Sequence, residues 1–292
     1  MKILDLYSER KKPLVLNGAM GSLLQQKGFI EDDEFWSARA LLDNEEVVYN
    51  IHFEYINAGA DIITTNTFRT NPEAVKRSSL NITSAELVKN AVRIAKNAID
   101  KDLCVLAGSN APAEDCYSKA RILSSKELEY NHKNHINLLL ENGTDVIWNE
   151  TFSHFDEIEL VCSICSEQNI EFTINLYLDN NLKLLNGESL SSAIKLISEY
   201  SPTAIGVNCV SPNVFSRIRS EISEQKYWGY YLNCGVENSK SNNIITDVNP
   251  NEYSIIVKES FNKNLLYIGS CCGSYFAHTK IIRETVDEFY PN

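Results

Sequence analysis

The chain has 292 residues, 43% of them hydrophobic, and a formal net charge of −12. That length suits one (β/α)₈ barrel, typically ~250 residues, and allows a large core. The acidic balance without a basic stripe argues against nucleic acid, and no run of ~18 apolar residues predicts a membrane-spanning helix.

The N-terminal MKILDLYSERKKP has neither the apolar stretch nor the cleavage site of a secretory signal, so a cytoplasmic protein is expected. In a reducing compartment the eight cysteines point to metal binding, catalysis or burial rather than disulfides. The acidity reads first as a solvated surface, and only secondarily as attraction for a cationic substrate.

In chain order, PLVLNG reads as the first strand and DNEEVVYNIHFEYINAG as its helix, with Asp43 or Asn44 as cap and Gly59 as stop. DIITTNTF is the second strand, and the helix over TSAELVKNAVRIAKNAID opens on a Thr83–Glu86 capping box. LCVLAGS, with a helix over SSKELEYNHKNHINLLLENG, is the third pair. DVIWNET with HFDEIELVCSICSEQN is the fourth, and IEFTINLYL with GESLSSAIKLISEY the fifth. TAIGVNC is followed by a helix in NVFSRIRSEISEQ. YWGYYLN is followed by a helix after Pro250. LLYIGSC and FAHTKIIRETVDEFY close the series.

The strands are apolar on both faces, as buried parallel strands are. Strict alternation fits a barrel or an open doubly wound sheet. The count of eight favours a (β/α)₈ TIM barrel, class α/β. No linker, charge block or internal repeat divides the chain, so one domain is expected over 1–292.

Barrel active sites lie at the C-terminal ends of the strands. Asn17 and Gly18 end the first strand, Thr65, Asn66 and Thr67 the second, and Ser109 and Asn110 the third. Glu150 and Thr151 end the fourth, Asn208 and Cys209 the sixth, Asn233 and Cys234 the seventh, and Cys271 and Cys272 the eighth. Loops follow every strand, which accounts for some of the Asn and Thr. It does not account for three cysteines and a carboxylate at one level.

Three thiolates form a soft anionic pocket suited to Zn²⁺, and three protein ligands leave the fourth position open, as in catalytic sites. From their residue type alone, the three are equally well read as buried small apolar groups. Cys162 and Cys165 form a CxxC pair inside an amphipathic helix, where they share a face, and read as structural. Cys104 reads as core. Cys116 could face the site from the loop after the third strand. His278 reads as structural, and His154 has no assigned role. Phe29, Trp36 and Phe68 are loop aromatics suited to packing or to a methylated cation.

The segments NGAMGSLLQQKG, NAGADIITTNTF, AGSNAPAEDCY, ETF, IGVNC, YLNCG and GSCCGS occur in this order across nearly the whole chain. Through them the chain resembles the homocysteine S-methyltransferase family. The resemblance implies a homocysteine-binding (β/α)₈ barrel with a catalytic Zn²⁺ on Cys209, Cys271 and Cys272. It also implies that Glu150 recognises the homocysteine ammonium. Asn17, Gly18, Thr65, Asn66, Ser109 and Asn233 would complete the substrate site.

The chain departs from the family's usual residues at Asn17 (aspartate), Ser270 (glycine), Leu232 (proline before Asn233) and Phe276 (near a usual proline). Loss of the charge at Asn17 is expected to weaken ammonium binding by roughly 1–3 kcal/mol.

The implied activity is methyl transfer to homocysteine, forming methionine, from S-methylmethionine or less efficiently S-adenosylmethionine. A single barrel argues against the folate and cobalamin route. An end just after the eighth helix argues against betaine-using relatives, which carry further C-terminal structure. Two other readings stay open. One is a zinc-dependent alkyltransferase for a different thiol, which Asn17 encourages. The other is a non-catalytic zinc- or thiol-binding relative. The expected partners are a small-molecule thiol and a methyl donor, and a homo-oligomer is left open.

Overall fold

The computed structural model describes residues 2–29, 35–78, 81–99, 104–237 and 243–291. Its strands are β1 (Leu14–Val15), β2 (Ile62–Thr64), β3 (Val105–Asn110), β4 (Val146–Phe152), β5 (Phe172–Leu176), β6 (Ala204–Asn208), β7 (Trp228–Leu232), β8 (Gly235–Glu237), β9 (Ile244–Thr246) and β10 (Leu265–Ser270). Its α-helices are α1 (Ile3–Arg10), α2 (Gly21–Gln26), α3 (Ala40–Asp43), α4 (Glu45–Asn57), α5 (Pro72–Arg77), α6 (Ser84–Ala98), α7 (Ser125–Glu141), α8 (Phe155–Glu167), α9 (Leu190–Ser198), α10 (Pro212–Ile222), α11 (Pro250–Ser260) and α12 (Phe276–Phe289).

Eight strands form one parallel sheet in the order β1-β10-β7-β6-β5-β4-β3-β2, and a parallel bridge between Leu16 and Ile62 joins its two edges. This closure joins the two edge strands of the eight-stranded sheet. The TIM barrel expected from the strand count is the observed fold. No helix among the described residues is long and apolar enough to cross a membrane.

The alternation of side chains along each strand sorts the core into layers. Leu14, Leu16, Val105, Ala107, Val146, Trp148, Tyr231 and Tyr267 share a cluster inside the barrel. Their chain neighbours Val15, Leu106, Ile147, Tyr230 and Ile268 pack outward, in the cluster formed with the helices. Both faces are dry, hence the near-continuous apolar runs in the sequence.

The helices follow local signals. Thr83 and Glu86 form the expected capping box at α6, and Ser124–Glu127 and Asn249–Glu252 form two more, at α7 and α11. Asn44, one of the two expected caps of α4, holds the cap position without a side-chain bond. Gly59 ends that helix with φ +98°, a conformation that disfavours other residues. The expected ends at Asp100 and Leu103 lie outside the described residues.

Besides the short helices α2, α3 and α5, two features were not expected from the sequence. Helix α1 closes the N-terminal end of the barrel. Ile3 and Leu6 join the interior cluster, the Ile3 amide donates to Glu171 Oε1 at 3.1 Å, and Tyr7 meets Tyr227 edge-on. The other is the antiparallel β8–β9 hairpin that follows β7.

Tyr267 lies across the barrel interior, over Gly206 and Gly229. A Cβ at Gly229 would overlap the Tyr267 ring. Gly229→Ala should therefore destabilise the protein by about 1–3 kcal/mol through overpacking, read as a lower urea midpoint with an unchanged m-value.

Candidate active site

The C-terminal ends of the strands open into a cavity of about 750 Å³. That lies within the range of roughly 300–1,000 Å³ that holds small-molecule ligands. All ten site residues expected from the sequence line it.

Cys209 follows β6, and Cys271 and Cys272 follow β10. Cys209 Sγ lies 2.8 Å from Cys271 Sγ and 3.5 Å from Cys272 Sγ, and the latter two are 4.0 Å apart. Backbone bonds fix this convergence. Cys209 N donates to Tyr231 O, Cys271 N to Leu232 O, and Cys234 N to Cys272 O. The strand ends are also tied to the first loop. Gly273 N donates to Ser22 Oγ and Ala19 N to Ser274 Oγ.

Hydrogen bonds from Cys271 and Cys272 hold the Cys209 thiol well below its ordinary range, and those same bonds and burial push the other two up. The three sulfurs, all within 4.8 Å of one another, fit a soft divalent cation that would let the others ionise.

Glu150 stands on the inward face of β4, two residues after Trp148. The register of β4 against β5 shifts between Asn149 and Phe152, a bulge that carries Glu150 and Thr151. Ser109 Oγ donates to Glu150 Oε1, and Tyr231 OH donates to Oε2 at 3.1 Å. Trp148 Nε1 donates in turn to Tyr231 OH at 3.1 Å.

Thr151 adopts φ +65° and Cys209 φ +55°. Such strain costs about 1–3 kcal/mol per residue and persists where neighbours enforce it. Asn208 is the enforcing neighbour here. Its Oδ1 accepts from Thr151 N at 2.7 Å and its Nδ2 donates to Thr151 Oγ1 at 2.8 Å.

Asn17 differs from a carboxylate in more than charge. Its Oδ1 already accepts from Thr64 N and Thr64 Oγ1, both at 3.1 Å. A backbone N–H can only donate, so the amide orientation is fixed. Its buried Nδ2 has no protein partner among the described residues.

The remaining sequence candidates separate cleanly. Trp36, Phe68 and Cys116 line the cavity, whereas Phe29 packs in an apolar cluster away from it. Cys162 and Cys165 are core, and Cys104 donates to Ala60 O. His278 bonds Val248 O and Tyr275 N, and His154 bonds Ser118 O in the loop after β3. Tyr231, Tyr117, Arg69 and Asp115 also line the cavity and were not singled out from sequence. Tyr231 could have been found by alternation, since it lies two residues before Asn233.

Burial pushes the Glu150 carboxyl up to about 7 from its ordinary 4.5, against the hydrogen bonds from Ser109 and Tyr231. A raised folded-state value stabilises the fold below about pH 4.5, and that contribution is lost as pH rises through about 7. Metal-free protein should thus lose urea stability relative to Glu150→Gln across that window. Tyr231→Phe, which removes a bond favouring the carboxylate, should raise the Glu150 titration further, read by ¹³C NMR of labelled glutamate.

Comparison with known proteins agrees with this architecture. The sequence profile described as homocysteine S-methyltransferase matches residues 14–286. Homocysteine S-methyltransferase of Escherichia coli (strain K12) is 26% identical over 220 residues, 70% of this chain and 71% of that protein. Homocysteine S-methyltransferase YbgG of Bacillus subtilis (strain 168) is 26% identical over 247 residues, 76% of this chain and 77% of that protein. Selenocysteine Se-methyltransferase of Brassica oleracea var. italica is 21% identical over 308 residues, 92% of this chain and 87% of that protein. The metallated form of the homocysteine methyltransferase MmuM from Escherichia coli superposes with a TM-score of 0.83 at 21% identity, covering 97% of this chain and 99% of that one. With the profile spanning the barrel from β1 into its last helix, the chain belongs to the homocysteine S-methyltransferase family.

Proposed function

We propose that the protein transfers a methyl group from a sulfonium donor to homocysteine, giving methionine, with Zn²⁺ held by Cys209, Cys271 and Cys272. S-methylmethionine is the proposed donor and S-adenosylmethionine a poorer one. The observation that carries this reading is the trio of sulfurs beside Glu150 in one cavity. Bound there, zinc supplies an open position at which a substrate thiol stays deprotonated at neutral pH.

Glu150, braced by Ser109 and Tyr231, takes the acceptor's ammonium, and that charge draws the carboxyl back to its ionised form. Gly18, Thr65, Asn66 and Asn233 complete the walls that orient the acceptor. As the acceptor sulfur forms its new bond to the methyl carbon, the donor's S–CH₃ bond breaks. The electron pair returns to the donor sulfur, which leaves as a neutral thioether. No proton moves in that step, so the walls need only align the reactants and exclude water.

The test is mass spectrometry of zinc-loaded protein with homocysteine and each donor, beside metal analysis of single Cys→Ser variants. Methionine should form with S-methylmethionine, and each variant should lose most of its zinc and activity. Full zinc in all three variants, or no product with any donor, would overturn the proposal.

Two observations favour a second reading, alkyl transfer to a different thiol or selenol. The unpartnered Asn17 Nδ2 offers a donor where an ammonium needs an acceptor, and one relative is named for selenocysteine. If homocysteine is the acceptor, Asn17→Asp should lower its KM by about tenfold, and Glu150→Gln should raise it by a similar factor with zinc content unchanged. A rise in KM for Asn17→Asp would instead assign the amide to an acceptor group on a different thiol. Steady-state kinetics across homocysteine, selenohomocysteine, cysteine and alkyl thiols distinguishes the two.

A further inference from the structure

Arg69 and Asp115 line the same cavity as the cysteines, from the loops that follow β2 and β3. They carry opposite charges, and both act electrostatically on the Cys116 thiol at the cavity wall. Among the described residues neither has an oppositely charged partner within 4 Å. The neighbouring carboxylate, Glu114, is already engaged by Arg77 at 3.5 Å and Arg121 at 3.7 Å. Arg69 meets Glu114 only through one Nη1 bond to its backbone oxygen, at 2.9 Å, and lies 5.2 Å from the Phe68 ring centroid. Most of its guanidinium fork is left for a ligand. Asp115 uses Oδ1 to accept from Tyr117 N at 3.0 Å.

Two unpaired opposite charges on one cavity wall match the two charges of an α-amino acid. Their position separates them from Glu150. Glu150 and Ser109 lie on inward faces of the barrel strands, whereas Asp115 is exposed on the loop after β3, from which the adjacent Tyr117 reaches in to Cys209. That loop suits the second reactant rather than the thiol held against the sulfurs. Phe68, Trp36 and Tyr117 line the same cavity and supply aromatic faces suited to a sulfonium.

We propose that Arg69 and Asp115 bind the carboxylate and ammonium of the methyl donor, and so select a sulfonium that is itself an α-amino acid. This rests on the methyl-transfer reading above. Arg69 presents a planar fork to the carboxylate, and Asp115 takes the ammonium. A donor that has a sulfonium and a carboxylate but no ammonium loses the second contact.

The experiment varies S-methylmethionine and dimethylsulfoniopropionate, which lacks the ammonium, at saturating homocysteine in zinc-loaded protein. Arg69→Gln should lower kcat/KM for both donors by about tenfold, and Arg69→Lys should restore part of the loss. Asp115→Asn, which retains the acceptor for Tyr117 N, should lower kcat/KM about tenfold for S-methylmethionine only, narrowing the donor preference. The KM for homocysteine should stay unchanged. Asp115 is exposed, so its variant decides the matter should a change at Arg69 disturb folding. Equal effects of Asp115→Asn on both donors, no effect on either, or a raised KM for homocysteine would overturn the proposal. Absence of transfer from every donor in the unsubstituted protein would instead remove the reading beneath it.

Discussion

Three cysteine sulfurs within 4.8 Å of one another cannot all be thiolates in a partly buried pocket unless a cation sits among them. Much of the upper barrel serves to keep them there. Cys209 can point at the pair after β10 only because β7 stands between the two strands and bonds both, through Tyr231 O and Leu232 O. The left-handed turn at Cys209 aims its sulfur inward, and Asn208 holds the matching turn at Thr151. The loops after β1 and β10 interlock through Ser22 and Ser274. The soft-cation site is thus a property of ring closure, since its donors are 62 and 63 residues apart in sequence.

The same closure builds a hydrogen-bonded polar floor around Glu150. Trp148, Tyr231 and Glu150 form one chain of donors and acceptors, and Ser109 adds a second donor to the carboxylate. Behind this floor a buried network supports the rim. Glu157 accepts from His132 and from Ala113 N, while Glu114 accepts from Ile122 N and Leu123 N. The loop between Asn110 and α7 is therefore fastened from inside at both ends. Asp115 and Tyr117 are surface residues in exposure, yet they stand on a braced platform. Such bracing fixes groups that must meet a ligand, at a small entropic cost when it binds.

The sequence read well wherever the structure follows a local period. The eight apolar runs, the Thr83 box and the Gly59 stop are set by residues within a few positions of one another. The cysteines were legible because strand ends in a barrel share one level, and their residue type is rare there. Helix α1 was not legible because only Ile3 and Leu6 are buried on it, and their burial exists only once the barrel end is present. The β8–β9 hairpin has strands of three residues each, too short for alternation to show. Tyr231 was hidden in an apolar run, where one polar atom per residue leaves no pattern. Arg69 looked like any loop arginine, because what leaves it unpaired is the engagement of Glu114 by Arg77 and Arg121.

Asn17 shows why such long-range facts matter for recognition. By composition, aspartate to asparagine removes a charge and retains an oxygen. In this fold the retained oxygen is already committed to the Thr64 amide and hydroxyl, so the atom that remains for a ligand is a donor. The change therefore turns that point on the wall from an acceptor into a donor as well as removing its charge. Among the described residues Glu150 is then the carboxylate that faces inward from a barrel strand near the sulfurs, and under the proposed reading its affinity for the proton, raised by burial, opposes an incoming ammonium. The three cysteines are those the family resemblance implies, while Ser270 and Leu232 beside them and Asn17 on the surrounding wall depart from the family's usual residues. Under the proposed methyl transfer, activation of a thiol falls to the sulfurs and selection of which thiol to the surrounding wall, so selection could change while the sulfur cluster stays fixed.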